Sequence, residues 1–233
     1  RMKKIALLGS TGSVGTQTLD VIRKYPDRLS VWALVAKDGI DMVREQIREF
    51  SPQLVGLVDK EEARKLSKEV RIPVLAGEEV AELVAKENGY DTLVSATVGL
   101  TGIRAALAAI RNGKQLALAN KETLVAAGEI VMAEARKYNA RILPIDSEHS
   151  ALLQCLNGEN PRMIRQLIIT CSGGALRDKT KQELENVSIE DALGHKTWNM
   201  GRKITVDSAT LMNKGFEVLE AMWLYGVKPE QIR

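Results

Sequence analysis

The sequence predicts an α/β protein in which helices cover a parallel sheet. Its 233 residues are 45% hydrophobic and 27% charged, a balance typical of a chain that folds around a packed core. Only 4% of the residues are aromatic, so aliphatic side chains must fill that core, as they do in buried parallel sheets. Segments typical of strands alternate with helical segments of about ten residues, and this alternation favours crossover connections between parallel strands.

The alternation runs through the first 145 residues. Apolar runs predict strands at 3–8, 29–36, 54–58, 92–96, 115–118 and 141–145, with a short apolar piece at 73–75. Amphipathic spacing predicts a helix that contains Leu19 and Ile22, followed by helices at 41–50, 61–69, 79–88, 103–111 and 122–138. We therefore predict a first domain over residues 1–145.

The pattern is sparser in the remaining residues, 146–233. It predicts a helix at 152–156, strands at 167–171 and 203–206, and a helix from about 208 to 225. We interpret these residues as a second α/β domain.

Composition argues against several function classes. The 33 Lys and Arg exceed the 30 Asp and Glu by only 3 and form no basic block, so no nucleic-acid partner is expected. Cys155 and Cys171 have neither zinc-site spacing nor the number typical of a disulfide framework, which favours a cytoplasmic protein. No apolar run approaches the roughly 18 residues that span a bilayer, and no signal peptide is recognisable, so no membrane partner is expected.

Three glycines lie between the first strand and the first helix. Gly9, Gly12 and Gly15 form a G-x-x-G-x-x-G pattern at the place where a Rossmann-type domain binds the pyrophosphate of a dinucleotide. The alternative is a glycine turn that only joins strand to helix. The position at the first strand–helix junction favours the cofactor site.

The end of the second strand indicates which dinucleotide is bound. An NAD site usually has an acidic residue there, whereas this strand ends in Ala36 and Lys37, with Asp38 following. Lys37, helped by the hydroxyls of Ser10 and Thr11, could hold the 2′-phosphate of NADP. A solvated surface lysine is the alternative.

Two carboxylates, Asp146 and Glu148, follow the strand predicted at 141–145, with Ser147 between them. Hard oxygen ligands without a nearby cysteine favour Mg²⁺ or Mn²⁺ over zinc. A solvated acidic turn that opens the next helix is the alternative. His149 is interpreted as a helix-start or hydrogen-bonding residue rather than a ligand.

Asn213, Lys214 and Glu217 share one helical face, and Ser208 precedes them. This face could hold a phosphate and supply a third metal carboxylate, or it could be a solvated Lys–Glu face. The Ser172-Gly-Gly loop offers a weaker phosphate contact. Residues 195–201 contain glycine hinges and Trp198, which suits a lid over a ligand or an ordinary loop that buries the indole.

Together these motifs resemble the 1-deoxy-D-xylulose 5-phosphate reductoisomerase family. The matching segments are GSTGSVG at 9–15, LANKE at 118–122, DSEH at 146–149, SGG at 172–174, HKTWNMG at 195–201 and KITVDSATLMNKG at 203–215, with Glu217 after the last. The chain departs from the usual family pattern at Cys171, Ala175 and Lys196. Because members of the family continue past the position of Arg233, we expect a fragment with an incomplete catalytic domain that lacks the C-terminal helical domain.

The resemblance implies roles for individual residues. It implies a metal held by Asp146, Glu148 and Glu217, and catalytic roles for Lys121, Glu148 and His195. It implies NADPH bound by Thr11, Gly12, Ser13, Val14, Ala36, Lys37, Asp38, Asn120, Glu122 and Gly201. It implies substrate bound by Lys121, Ser147, Glu148, Ser172, His195, Ser208, Asn213, Lys214 and Glu217, with the phosphate on Ser172, Ser208, Asn213 and Lys214.

The implied activity is the rearrangement and NADPH-dependent reduction of a small phosphorylated sugar, 1-deoxy-D-xylulose 5-phosphate, to 2-C-methyl-D-erythritol 4-phosphate, a step in isoprenoid precursor synthesis. Full-length members are expected to be homodimers. Two alternatives stay open from the sequence. The chain could bind NADP without turnover, or it could be a semialdehyde-dehydrogenase-like enzyme that uses Cys155 or Cys171 as nucleophile.

Overall fold

The computed structural model describes residues 1–195 and 200–233, and the chain divides into two units, Arg1–Asp146 and Ser147–Arg233. The division lies one residue after the predicted boundary. That each unit acts as a separate functional domain stays a prediction.

The first unit contains a seven-stranded sheet in which all neighbouring strands are parallel. Its strands are β1 Lys3–Leu8, β2 Leu29–Ala36, β3 Leu54–Leu57, β4 Val74–Ala76, β5 Thr92–Ser95, β6 Gln115–Leu118 and β7 Ile142–Pro144. The α/β class predicted from the sequence is therefore confirmed. The short apolar piece at 73–75 also belongs to the sheet, as edge strand β4.

Six helices connect the strands of the first unit. They are α1 Ser13–Lys24, α2 Ile40–Phe50, α3 Lys60–Leu66, α4 Val80–Ala85, α5 Gly102–Arg111 and α6 Glu122–Lys137. Leu19 and Ile22, the apolar pair used to predict the first helix, are buried against the sheet. The core consists mainly of aliphatic side chains, as the low aromatic content predicts.

The strand order is β4-β3-β2-β1-β5-β6-β7. From β1 the chain adds β2, β3 and β4 towards one edge of the sheet, and from β5 it adds β6 and β7 towards the other edge. The connections that follow the neighbouring strands β1 and β5 therefore lead away from each other. Ligands of open α/β sheets bind at such a point, outside the carboxyl ends of the strands. The glycine loop follows β1 directly, and Lys37 and Asn120 follow β2 and β6 at the same edge.

The described part of the second unit contains five α-helices and no strand of the sheet. Its helices are α7 Ser147–Cys155, α8 Lys181–Leu184, α9 Ile189–Leu193, α10 Arg202–Ala209 and α11 Met212–Tyr225. The strand predicted at 167–171 is wrong, because this segment forms only an isolated bridge between Leu167 and Ile232. The strand predicted at 203–206 is also wrong, because these residues lie within α10.

The helix predicted from about 208 to 225 is two helices, α10 and α11. Leu211 separates them with a left-handed backbone, φ 61°. Such a conformation is unfavourable for leucine and interrupts the helical hydrogen-bond series. The break separates Ser208, on α10, from Asn213 and Lys214 on α11.

None of the described helices is both long and apolar enough to cross a membrane.

Candidate functional site

The glycine loop of the first unit has the close backbone contacts that a dinucleotide site requires. Gly9 has φ 79°, and a Cβ added there would lie 2.5 Å from the Ala96 carbonyl oxygen. A Cβ at Gly15 would lie 2.0 Å from the Gly9 carbonyl oxygen. At Gly12 the nearest atom would be 3.4 Å away, so packing within the protein does not require this glycine. Gly12 lies on the open side of the loop, where a cofactor would approach.

The N-terminus of α1 is suited to an anion. Its cap residue is Gly12, no side chain caps the helix, and its first turn contains no acidic residue. Gly12 and Ser13 are exposed, and Thr11 and Val14 are half-buried. The positive end of the helix dipole and its N–H groups therefore favour a phosphate at this position.

The residues predicted to hold the 2′-phosphate differ in solvent exposure. Lys37 and Asp38 are exposed beyond the buried Ala36, and the Thr11 hydroxyl donates to the Asp38 carbonyl at 3.3 Å. Ser10 is completely buried. The expectation that its hydroxyl contacts a 2′-phosphate beside Lys37 is therefore wrong, because no solvent reaches this side chain.

The side chain of Asn120, which was predicted to bind cofactor, forms its hydrogen bonds within the protein. Its Nδ2 donates to the carbonyl oxygens of Thr97 at 2.9 Å and Gly99 at 2.8 Å, and its Oδ1 accepts from the Thr123 N–H at 3.2 Å. Asn120 thus ties the loop after β5 to the start of α6. Glu122, also predicted to bind cofactor, is half-buried in the first turn of α6.

Lys121 and Asp146 form an ion pair at the edge of the first unit. Lys121 is buried, with 6% of its surface exposed. Taking two charges out of water is costly unless they are closely paired, so this pair holds both side chains in place.

In the second unit, two predicted carboxylates converge on one ammonium group. Lys214 Nζ donates to Glu148 Oε1 at 3.1 Å and also pairs with Glu217. Glu148 and Glu217 offer carboxylate oxygens within 4.8 Å of each other. Two carboxylates this close repel each other unless a cation lies between them, and oxygen ligands suit Mg²⁺ or Mn²⁺.

Local hydrogen bonds and charges favour the ionised forms of Glu148 and Lys214. Burial alone would raise the pKa of the Glu148 carboxyl, but hydrogen bonds from Ser147 and its own backbone, with the charge of Lys214, hold it below its ordinary value. Burial would lower the pKa of Lys214, but the hydrogen bond and charge of Glu217 and the charge of Glu148 hold it above its ordinary value. Asn213 also donates to Glu217 at 2.6 Å.

All four residues predicted to hold the substrate phosphate line one small pocket. His195 Nε2 lies 3.3 Å from the Ser172 hydroxyl at its side. Gly174, with φ 72°, allows close packing, since an added Cβ would lie 2.3 Å from the Ser208 carbonyl oxygen. The lining residues are Glu148, Cys171, Ser172, Ser208, Leu211, Asn213 and Lys214.

Sequence reasoning did not point to two residues that line this pocket. Cys171 and Leu211 line the pocket, but neither residue type signalled a binding role. Gly201 is exposed at the start of α10, with nothing within 4 Å of an added Cβ. Trp198 and Lys196 lie outside the described residues.

Behind the carboxylates lies a buried pair formed by His149, predicted as a helix-start or hydrogen-bonding residue, and Glu220, which sequence reasoning missed. His149 Nε2 lies 3.1 Å from Glu220 Oε2, with 0% and 1% of these side chains exposed. The Tyr225 hydroxyl donates to the His149 carbonyl. The available signal was the spacing of Glu220 three residues after Glu217, on the same face of α11.

Comparison with known families identifies both parts of the chain. The sequence profile described as 1-deoxy-D-xylulose 5-phosphate reductoisomerase matches residues 5–128, and the profile of that enzyme's C-terminal domain matches residues 142–225. A protein of this name from Bacillus cereus strain Q1 is 52% identical over 232 residues, which are 99% of this chain and 61% of the relative. One from Shouchella clausii is 49% identical and is covered to 62%. The chain thus spans about three fifths of the length of these relatives.

Solved structures give the same result. A crystal structure of DOX-P reductoisomerase in complex with NADPH, fosmidomycin and magnesium superposes with a TM-score of 0.92 at 38% identity, over 99% of this chain and 60% of that one. The reductoisomerase from Zymomonas mobilis in complex with NADPH superposes with a TM-score of 0.91 at 35% identity, again over 60% of its length.

Proposed function

The chain belongs to the 1-deoxy-D-xylulose 5-phosphate reductoisomerase family, and on this premise we propose that it carries the NADPH, metal and substrate sites for converting 1-deoxy-D-xylulose 5-phosphate to 2-C-methyl-D-erythritol 4-phosphate. The first unit would bind NADPH and the second would bind metal and substrate. The observation that carries the proposal is the convergence of Glu148 and Glu217 on Lys214, beside a pocket lined by Ser172 and Ser208.

Asp146, Glu148 and Glu217 would hold the divalent ion. The chemistry of the donors supports this set: three carboxylates are hard ligands, and each is paired with a lysine ammonium, Lys121 for Asp146 and Lys214 for the other two. Mg²⁺ is favoured by the magnesium named with a related structure, and Mn²⁺ has the same ligand preference.

NADPH would lie along the glycine loop, with its pyrophosphate at the N-terminus of α1. The absence of an acidic residue directly after Ala36, and the exposed Lys37 at that position, support NADP over NAD. Thr11, Ser13 and Val14 would supply backbone N–H groups, whereas Gly12, whose N–H already donates to the Gly9 carbonyl at 3.1 Å, would allow close approach of the pyrophosphate. Asn120 would act by shaping the loop after β5, since its side chain already bonds to Thr97 and Gly99.

The substrate phosphate would lie in the pocket of the second unit. Ser172, Ser208 and Asn213 offer hydrogen-bonding groups there, and Lys214 offers positive charge. His195 would contribute from beside Ser172. Once Glu148 and Glu217 bind a metal ion, Lys214 would be free to pair with the phosphate instead.

The chemical step would depend on the metal ion, on NADPH and on Lys121. When bound, the metal ion would supply Lewis-acid stabilisation of negative charge on the substrate oxygens, and NADPH would supply the hydride. Lys121, which is buried, would stabilise charge or move a proton. The lid predicted over residues 195–201 includes 196–199, which lie outside the described part of the chain.

Because the chain spans about three fifths of its relatives, a second function deserves a test: binding of NADPH without turnover. The semialdehyde-dehydrogenase-like alternative has less support, because both parts of the chain match the reductoisomerase profiles.

The deciding experiment is steady-state oxidation of NADPH by this chain with 1-deoxy-D-xylulose 5-phosphate and Mg²⁺. Oxidation that depends on all three components supports the enzyme, and it should disappear in Glu217→Gln and Asp146→Asn, with NADPH affinity nearly unchanged. Saturable NADPH binding without oxidation supports the binding module. Unchanged oxidation in either variant contradicts the metal assignment.

We also propose a cellular compartment and an oligomeric state. Both cysteines are free, which supports a reducing compartment such as the cytoplasm. A homodimer of the full-length protein is supported by the family resemblance alone.

A further inference from the structure

Gln46 is a buried polar residue beneath the glycine loop. It lies on α2, next to the buried Val43 one turn earlier, and only 5% of it is exposed. Its Nε2 donates to the Ser10 carbonyl oxygen at 2.9 Å. A methionine of similar length would fill this space without the desolvation cost of an amide, so packing alone does not explain the residue.

Ser10 is held on both sides of its backbone. Its N–H donates to the Val35 carbonyl at 3.0 Å, and the Gly9 N–H donates to the same oxygen at 2.8 Å. These bonds anchor the start of the loop to β2. The Gln46 bond anchors the carbonyl of Ser10 to α2, so the orientation of the following peptide group is set from within the protein.

The Ser10–Thr11 peptide bond is trans, so its C=O and N–H point in opposite directions. Since the Ser10 carbonyl points to the buried Gln46, the Thr11 N–H points away from it. That direction leads to the open side of the loop, where Gly12 and Ser13 are exposed. Thr11 is one of the residues through which NADPH would be bound.

Two buried atoms here have no compensating bond. Among the described residues, neither Ser10 Oγ nor Gln46 Oε1 has a hydrogen-bond partner. Buried polar atoms of this kind reduce stability, and their side chains need an explanation other than stability. Control of the loop backbone supplies one for Gln46.

We infer that Gln46 is a positioning residue for the cofactor: it holds the Ser10–Thr11 peptide so that the Thr11 N–H faces the pyrophosphate of the dinucleotide. Gln46 does not touch the cofactor and acts only through the loop. The inference rests on the proposed binding of NADPH.

The test compares Gln46→Met with Val43→Ala, a matched control that removes buried volume from the same face of α2. We expect Gln46→Met to weaken NADPH binding by about tenfold, as measured by nicotinamide fluorescence. In the apo protein it should also speed hydrogen exchange of the Gly9 and Ser10 amides. Val43→Ala should lower the melting temperature but keep the NADPH Kd and the exchange of these amides within about twofold of the unchanged protein.

An unchanged NADPH Kd in Gln46→Met overturns the inference. Equal loss in Val43→Ala also overturns it, because α2 packing would then be the cause. If the unchanged protein fails to bind NADPH, the proposed function fails and the cofactor role of Gln46 with it, whereas unchanged loop exchange in Gln46→Met overturns the inference alone.

Discussion

At the scale of single residues, the second unit holds charged side chains close together in buried or half-buried positions. Glu217 is 1% exposed and Glu148 is half-buried, yet both carboxylates approach the same Lys214 ammonium. Burying charges together is tolerated only when opposite charge offsets their repulsion. A site built in this way can exchange one cation for another, and that exchange is the basis of the proposed metal site.

Lys37 tests the preference for NADP. We predict that Lys37→Ala weakens NADPH binding by about tenfold and changes NADH binding by less than about twofold, because only NADPH carries the 2′-phosphate that this ammonium would contact. The measurement is a pair of Kd values from nicotinamide fluorescence. Lys181→Ala, at an exposed lysine of the second unit, is the control. Equal losses for both cofactors would show that another residue selects between them.

The glycines of the loop separate packing from ligand contact. We predict that Gly15→Ala disrupts the loop and abolishes NADPH binding, because its Cβ would lie 2.0 Å from the Gly9 carbonyl. Gly12→Ala has room for its Cβ, so it should keep the melting temperature of the unchanged protein while it weakens NADPH binding. Thermal melting with and without NADPH checks both. A Gly12→Ala protein that binds NADPH normally would place the cofactor elsewhere.

In the second unit, the spacing of residues along the chain predicted the charged cluster better than the residue types did. Asn213, Lys214 and Glu217 were predicted to share a face, and they interact there. The occupied side chain of Asn120 was not predictable, because its partner Thr97 follows a different strand and meets it only in the folded sheet.

At the scale of elements, α7 and α11 carry Glu148 and Glu217, and a buried pair joins these helices. His149 follows Glu148 directly on α7, and Glu220 lies three residues after Glu217 on α11. Their side chains meet at 3.1 Å in the interior. We therefore expect this pair to set the register of the two helices.

Replacing one member of the pair should be costly. We predict that His149→Leu destabilises the protein by about 3–5 kcal/mol, because Glu220 then stays buried without its imidazole partner. Urea unfolding measures the change. The double variant His149→Leu with Glu220→Leu should recover most of the loss, since neither member of the pair is then left buried without the other. A double variant as unstable as the single one would show that the loss comes from packing.

A glycine inside α11 predicts a gain in stability on substitution, whereas the buried pair predicts a loss. Gly215 is exposed, and an added Cβ there would meet nothing within 4 Å. Gly215→Ala should therefore raise the free energy of unfolding by about 0.5–1 kcal/mol, because alanine loses less backbone entropy in a helix. Urea unfolding again checks this, and a loss of stability would mean that the α10–α11 turn needs glycine.

The same region shows where strand prediction failed. β-Branched residues at 204–206 predicted a strand, yet they form α10. Thr205 Oγ1 donates back to the Gly201 carbonyl at 2.9 Å, and Lys203 pairs with Asp207 at 2.6 Å, one helical turn apart. Such i, i+4 contacts outweigh a weak strand propensity, and single-residue propensities do not include them.

At the scale of the whole molecule, the first unit was the more predictable half. Parallel strands buried on both faces form continuous apolar runs, so β1, β2 and β6 begin and end where the sequence predicted. The described part of the second unit has one isolated bridge and helices of 4 to 14 residues, and the bridge joins segments that are distant in sequence. Recognition of the family, which the comparisons confirm, came from motifs in both halves.

The central claim is that Asp146, Glu148 and Glu217 bind one divalent ion. Titration of the protein with Mn²⁺, followed by electron paramagnetic resonance of the free ion, tests it most directly. We predict one saturable site per chain, weakened by at least about tenfold in Glu217→Gln and unchanged in Glu185→Gln, which neutralises an exposed glutamate of the same unit. NADPH affinity should be equal in all three proteins. Mn²⁺ binding that is absent in the unchanged protein, or equally tight in Glu217→Gln, would contradict the claim.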